Sequence, residues 1–313
     1  MEKLTYSEFV RYLSENIPAA MGPAYAGAEV TAGPVAKLGS TYKGLSIRLP
    51  GQKAAVSINL DDLYGDYRSG KAVEKILDET AEKAAKVPVQ EDLGWLENLT
   101  EVQPHLFVRL SNAVINHDLL QKVPHRRITD LALTAHVEIG MPGEKDVLCS
   151  TMVNNSLLGM YGIKADELID LALENSVSRM PALIERTDYF MRRWNLPESG
   201  NGKTELMTVT NRQMINGAAV LFYPGVLDTL GRTLGDYYVI PSSIHEVLAL
   251  PDGQADYEGL TDLVRRVNAM AVSPQEKLSD HLYHYDCVTE KFETAMAYRR
   301  RCGMDNGGGE LQA

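Results

Sequence analysis

The chain has 313 residues, 44% hydrophobic and 23% charged, with a formal net charge of −11 at neutral pH. These are values of an ordinary globular protein with a substantial core. The acidic balance argues against broad attraction to nucleic acid or anionic lipid. No segment approaches the roughly 18 consecutive apolar residues of a membrane span. The start, Met1-Glu2-Lys3-Leu4-Thr5-Tyr6, lacks the basic and apolar regions of a secretory signal, so a cytoplasmic location is expected. The cysteines Cys149, Cys287 and Cys302 are odd in number and far apart, which speaks against a disulfide framework or a zinc ribbon. Cys149, in an apolar run, reads as a buried inert thiol.

Thr5 and Glu8 have capping-box spacing, so a helix should run to about Asn16 and stop at Pro18. Three strands follow, at 29–38, 42–49 and 54–60, with Pro34 marking an edge position or a bulge in the first. The spacing of Val73, Ile76, Leu77, Thr80, Ala81 and Ala84 predicts an amphipathic helix over about 71–86. Strands at 105–110, 129–139 and 147–153 and a helix at 166–178 repeat the order, suggesting two β-β-β-α blocks.

Residues 197–203 read as a flexible linker. Beyond it, strands are expected at 205–210 and 218–223, a helix at 224–234 and strands at 237–240 and 246–250. Helices at 256–270 and 289–301 complete the pattern, and a disordered tail should follow from 303. The expected fold is α+β. An N-terminal α+β region (1–196) would carry a C-terminal α/β region (204–302) packed on it.

Several landmarks carry a resemblance. They are Asn211-Arg212, Ile215-Asn216-Gly217-Ala218, Tyr223-Pro224 and Pro241-Ser242-Ser243-Ile244-His245-Glu246-Val247. Upstream they are Asn116-His117-Asp118-Leu119-Leu120, Pro124-His125, Asp130-Leu131-Ala132, Gly162-Ile163, Asp166-Glu167-Leu168 and Ala172-Leu173-Glu174-Asn175. Over roughly residues 5–300 the chain resembles an uncharacterised domain-of-unknown-function family common in gut-associated anaerobic bacteria and their integrative elements. It is more distantly similar to another uncharacterised family of Gram-positive bacteria. Lys164 departs from the small hydroxyl cap that those families often place before the helix. The resemblance implies a fold and a mobile-element setting, and supplies no catalytic residues.

Four groups are candidates for chemistry. Ser242, Ser243, His245 and Glu246 have the residue types of a nucleophile and a base. They lack a nucleophile elbow, and the second His of a zinc-protease helix is missing at 249. The plain alternative is a turn whose hydroxyls bond the backbone. His281 and His284, with Asp280 and Asp286, have metal-ligand types, but Tyr283 and Tyr285 alternate with His284 as in a strand, which would point the two His apart. His117, Asp118, His125 and Asp130 could line a polar pocket at a strand mouth, or Arg126 or Arg127 could simply pair with an acid. Arg212, with Asn211 and Asn216, could hold a carboxylate or phosphate, although no phosphate loop is present and a structural salt bridge is the plainer reading.

No metal and no dedicated cofactor are expected. The leading reading is a non-enzymatic accessory protein that binds another protein. The alternative is a hydrolase built on His245 and Glu246 with a distant partner. Nucleic-acid binding through Arg299-Arg300-Arg301 is the least favoured reading.

Overall fold

The computed structural model describes residues 3–50, 55–85, 93–140, 149–193, 205–254 and 256–304. The chain forms two compact units, one of Met1–Val102 with Glu138–Thr151 and one of Gln103–Val137 with Met152–Ala313. The expected linker at 197–203 and the tail beyond Met304 lie outside the described residues, as does the side chain of Cys149.

In the first unit, α1 (Tyr6–Ala20) opens on the expected capping box, with Thr5 accepting from the Glu8 backbone and Glu8 from the Thr5 backbone. Its apolar face buries Phe9, Leu13 and Ile17 completely. Pro18 does not end this helix. It sits in the last turn, where the Met21 N–H still reaches the Ile17 carbonyl at 2.9 Å, so the helix loses one bond and continues to Ala20. Strands β1 (Glu29–Lys37), β2 (Ser40–Arg48) and β3 (Val56–Asn59) pair antiparallel in that order, leaving the Pro34 strand at the edge. Helix α2 (Leu60–Arg68) was not anticipated. Asn59 caps it through the Asp61 and Asp62 N–H groups, and those two acids suit its first turn. Helix α3 (Val73–Ala85) presents Ile76, Leu77, Thr80, Ala81 and Ala84 to the core, as the pattern predicts. A short α4 (Leu99–Val102) ends the stretch.

Continuing along the chain come β4 (Leu106–Asn112), α5 (His117–Leu120), β5 (His125–Ile128), β6 (Leu131–Gly140) and β7 (Cys149–Met152). Then follow α6 (Asn155–Tyr161), α7 (Ala165–Arg179), β8 (Ala182–Arg186), α8 (Thr187–Arg193), β9 (Met207–Asn211) and α9 (Val226–Leu234). The last elements are β10 (Tyr237–Ile240), β11 (Val247–Pro251), α10 (Tyr257–Met270), β12 (Tyr283–Asp286), β13 (Lys291–Thr294) and α11 (Ala295–Arg301). One sheet holds β4, β6 and β5 side by side, and a six-stranded sheet runs β13-β12-β10-β11-β9-β8. Every pairing within these is antiparallel. Helices and antiparallel sheets without a βαβ rhythm make this an α+β fold.

Two expected elements change type. Residues 218–223 form a 3-10 turn, Gly217–Phe222, instead of a strand. Asn216 in the left-handed region (φ 54°) redirects the chain, and Gly217 to Leu221 are all buried. An apolar run buried on every side has no period by which to tell strand from helix. Residues 289–301 begin as strand β13 and become helix only at Ala295, where Thr294 caps the Ala297 N–H. Lys164 precedes α7 without a side-chain cap bond, as its chemistry dictates.

Candidate functional site

The most organised polar cluster lies at the start of β6. Thr129, immediately before it, holds φ at 58°, a conformation unfavourable for a β-branched residue. The next residue, Asp130, has a side chain only 13% exposed. Its Oδ2 accepts from Ser279 Oγ (2.7 Å) and His281 Nδ1 (3.0 Å). Its Oδ1 accepts from the Tyr283 hydroxyl (2.8 Å) and Thr129 Oγ1 (3.2 Å). Burial pushes the Asp130 carboxyl up, but the bonds from Ser279, Tyr283 and His281 outweigh it and hold the group below the usual carboxylate range. Burial drives the Tyr283 hydroxyl strongly upward, so it stays a neutral donor.

The 278–283 segment is fixed on both sides. Asn112 Nδ2 donates to the Leu278 carbonyl (3.0 Å), the Ala113 N–H to the Asp130 carbonyl (2.7 Å), and Asn268 Nδ2 to the Ser279 carbonyl (2.7 Å). Ser279 Oγ also accepts from the His281 N–H (2.9 Å). Ser279 is therefore occupied in positioning, and its hydroxyl proton is directed at Asp130. The His281 side chain is 53% exposed. With Nδ1–H directed at a carboxylate, its Nε2 carries the lone pair, which is the arrangement of a general base.

The structure joins Asp130 to His281 and separates Asp130 from His125, whose Nδ1 bonds the Val123 carbonyl (3.0 Å). Arg126 pairs with Asp166 and Asp170 of α7, Arg127 bonds the Thr129 carbonyl, and the exposed His117 faces its neighbour Asp118. The group His281, His284, Asp280 and Asp286 is divided. Asp280 holds Lys277, and Asp286 holds Arg301. His284 lies within β12, whose alternation is that of a strand.

At the 241–246 turn, His245 Nδ1 accepts from the Asn216 N–H (3.2 Å), and its Nε2 lies 3.6 Å from Glu276. Ser243 Oγ accepts from the His245 N–H, and Ser242 donates to Glu246. The turn thus uses its hydroxyls on local groups, and Glu246 faces Ser242 instead of the imidazole. Asn216 and His245 are brought together. Arg212 is exposed, and its N–H bonds the Pro181 carbonyl.

Ser279 and Tyr283 were not singled out as partners of Asp130. No local spacing links residues about 150 positions apart, and the only nearby sign is a hydroxyl two residues before a histidine.

Fold and cluster define an antiparallel α+β protein with a carboxylate-oriented histidine. The chain belongs to a family of unknown function (DUF5688), whose model matches residues 6–287. No curated protein and no solved structure matches it. Among the described residues, no helix is long and apolar enough to cross a membrane.

Proposed function

We propose that the protein is a hydrolase in which His281 activates water and Asp130 orients and stabilises the imidazole. The observation that carries this reading is the 3.0 Å bond from His281 Nδ1 to a largely buried carboxylate already held by three hydroxyls. A surface ion pair needs none of those supports, nor the strained backbone of Thr129 beside it. Val114 and Ile115, 63% and 54% exposed, follow the Ala113 N–H that bonds Asp130, and they offer an apolar surface for the acyl part of an ester. Water is the nucleophile, because Ser279 is turned toward Asp130. This moves the hydrolase reading from His245 and Glu246 to His281.

The test is turnover of a panel of chromogenic acyl and phosphate esters by the untagged protein. We expect hydrolysis of an apolar acyl ester to fall about a hundredfold or more in His281→Gln, with the fold retained. Turnover that is absent across the panel, or equal in His281→Gln, overturns the reading.

A second reading keeps the accessory-protein expectation. Leu263, Val267 and Met270 lie three to four residues apart on α10 and are 42%, 40% and 86% exposed, an apolar stripe suited to binding another protein. A partner captured by the wild type and lost in Val267→Asp would favour it. The bacterial, gut-associated and mobile-element setting draws its support from the sequence resemblance.

A further inference from the structure

A second polar cluster lies at the open end of the β10–β11 hairpin, built from residues that the Asp130 site does not use. Asp236 directly precedes β10, and Asp252 directly follows β11. Tyr237 pairs with Pro251, and the Asp252 N–H donates to the Asp236 carbonyl at 3.1 Å, so both acids lie at one sheet end. His284 of β12 pairs across from Tyr238 of β10. One ligand atom each from Asp236, Asp252 and His284 lies within 4.8 Å of the other two.

His284 is the informative member. Its side chain is fully buried, stacked on Tyr298 at 3.6 Å and edge-on to Tyr238 at 5.3 Å, so the ring cannot swing out to water. Nε2 lies 3.3 Å from Asp252 Oδ2, and Nδ1 is buried without a hydrogen-bond partner. Asp236 receives the Cys287 N–H at 2.9 Å through Oδ1, and its carboxylate also meets the Cys287 thiol. Among the described residues, neither carboxylate forms a close ion pair with Lys or Arg, so two acids converge on one imidazole.

We propose that Asp236, Asp252 and His284 bind one divalent metal ion of zinc-like chemistry. One imidazole nitrogen and two carboxylates are a donor set that such ions accept. Ligand atoms about 2.1 Å from a tetrahedral ion lie roughly 3.4 Å apart, close to the Nε2 to Asp252 separation. Asp252, 39% exposed, leaves a way in for the ion, and the fourth position is open to water.

The experiment is a calorimetric titration of untagged, chelator-treated full-length protein with Zn2+, repeated for Asp252→Asn, Asp236→Asn and His281→Gln. Co2+ absorption in the visible range reports the coordination. His284 is too buried for its substitution to be a clean probe. We expect one ion per chain, affinity at least tenfold lower in either aspartate variant, unchanged affinity in His281→Gln, and cobalt bands that the aspartate variants lose. Absence of stoichiometric binding overturns the proposal. So does binding that both aspartate variants retain or that His281→Gln removes.

Discussion

Asp130 and His281 stand 151 residues apart in the chain and meet at 3.0 Å, carboxylate oxygen to imidazole Nδ1. The two partners are unequal, since Asp130 is largely buried and His281 half exposed. Their substitutions should therefore differ. Asp130→Asn places an amide donor among hydroxyls that themselves donate, and should destabilise the protein by about 2–3 kcal/mol. His281→Gln should cost no more than about 1 kcal/mol, as exposed pairs do. Urea unfolding of both variants measures this. A larger loss for His281→Gln would mean that the imidazole is a structural post.

The depressed carboxyl of Asp130 fixes the sign of a pH effect. A folded pKa below the unfolded value of roughly 3.9 means that the unfolded chain binds more protons in between. The contribution of Asp130 is therefore complete above that value and is lost as pH falls through the lower, folded one. The stability advantage of wild type over Asp130→Asn should be flat from neutral pH to about 4 and shrink below it. Urea titrations at several acidic pH values would show this, and an advantage that grows on acidification would contradict it.

His136 gives a separate handle on the second unit. It is buried on β6, bonded to Thr134 Oγ1 at 3.1 Å and tilted against Phe107 at 5.6 Å. Burial first, and then the charge of Arg109, hold its pKa well below the usual imidazole value. The folded protein keeps it neutral, so its contribution is present above roughly pH 6.5 and declines as pH drops toward the folded value. Its ring-proton NMR shift should stay constant as pH falls through the ordinary imidazole range.

These residues show what a single chain discloses. Periodicity located α3, whose apolar stripe faces a core, and α10, which buries Leu260 and Val264 but leaves Leu263 and Val267 exposed, and the Thr5–Glu8 spacing located the start of α1. It failed at 218–223, buried all round, and at β13, a four-residue strand running directly into α11. The candidate site was half legible. Asp130 and His281 were each marked by type, in separate groups. Their pairing depends on how the 278–283 segment docks beside Asn112 and Asn268, which is tertiary and leaves no local spacing.

Gly217 tests how tightly the Asn216–His245 region is built. A Cβ at this position would fall against Thr210 Oγ1, 2.5 Å from the His245 carbonyl oxygen and 2.7 Å from the Asn211 nitrogen. Two of those atoms are backbone, and Thr210 Oγ1 already donates to the same His245 carbonyl at 2.8 Å, so none can yield cheaply. Gly217→Ala should destabilise by about 2–3 kcal/mol, at the upper end for overpacking. It should also push the 241–246 turn away from β9, breaking the Asn216 N–H to His245 Nδ1 bond. The mutant's unfolding midpoint and the exchange rate of the Asn216 amide report the two effects. A midpoint equal to wild type would mean that the turn moves freely, and that His245 is held by Glu276 instead of by the packing around Gly217.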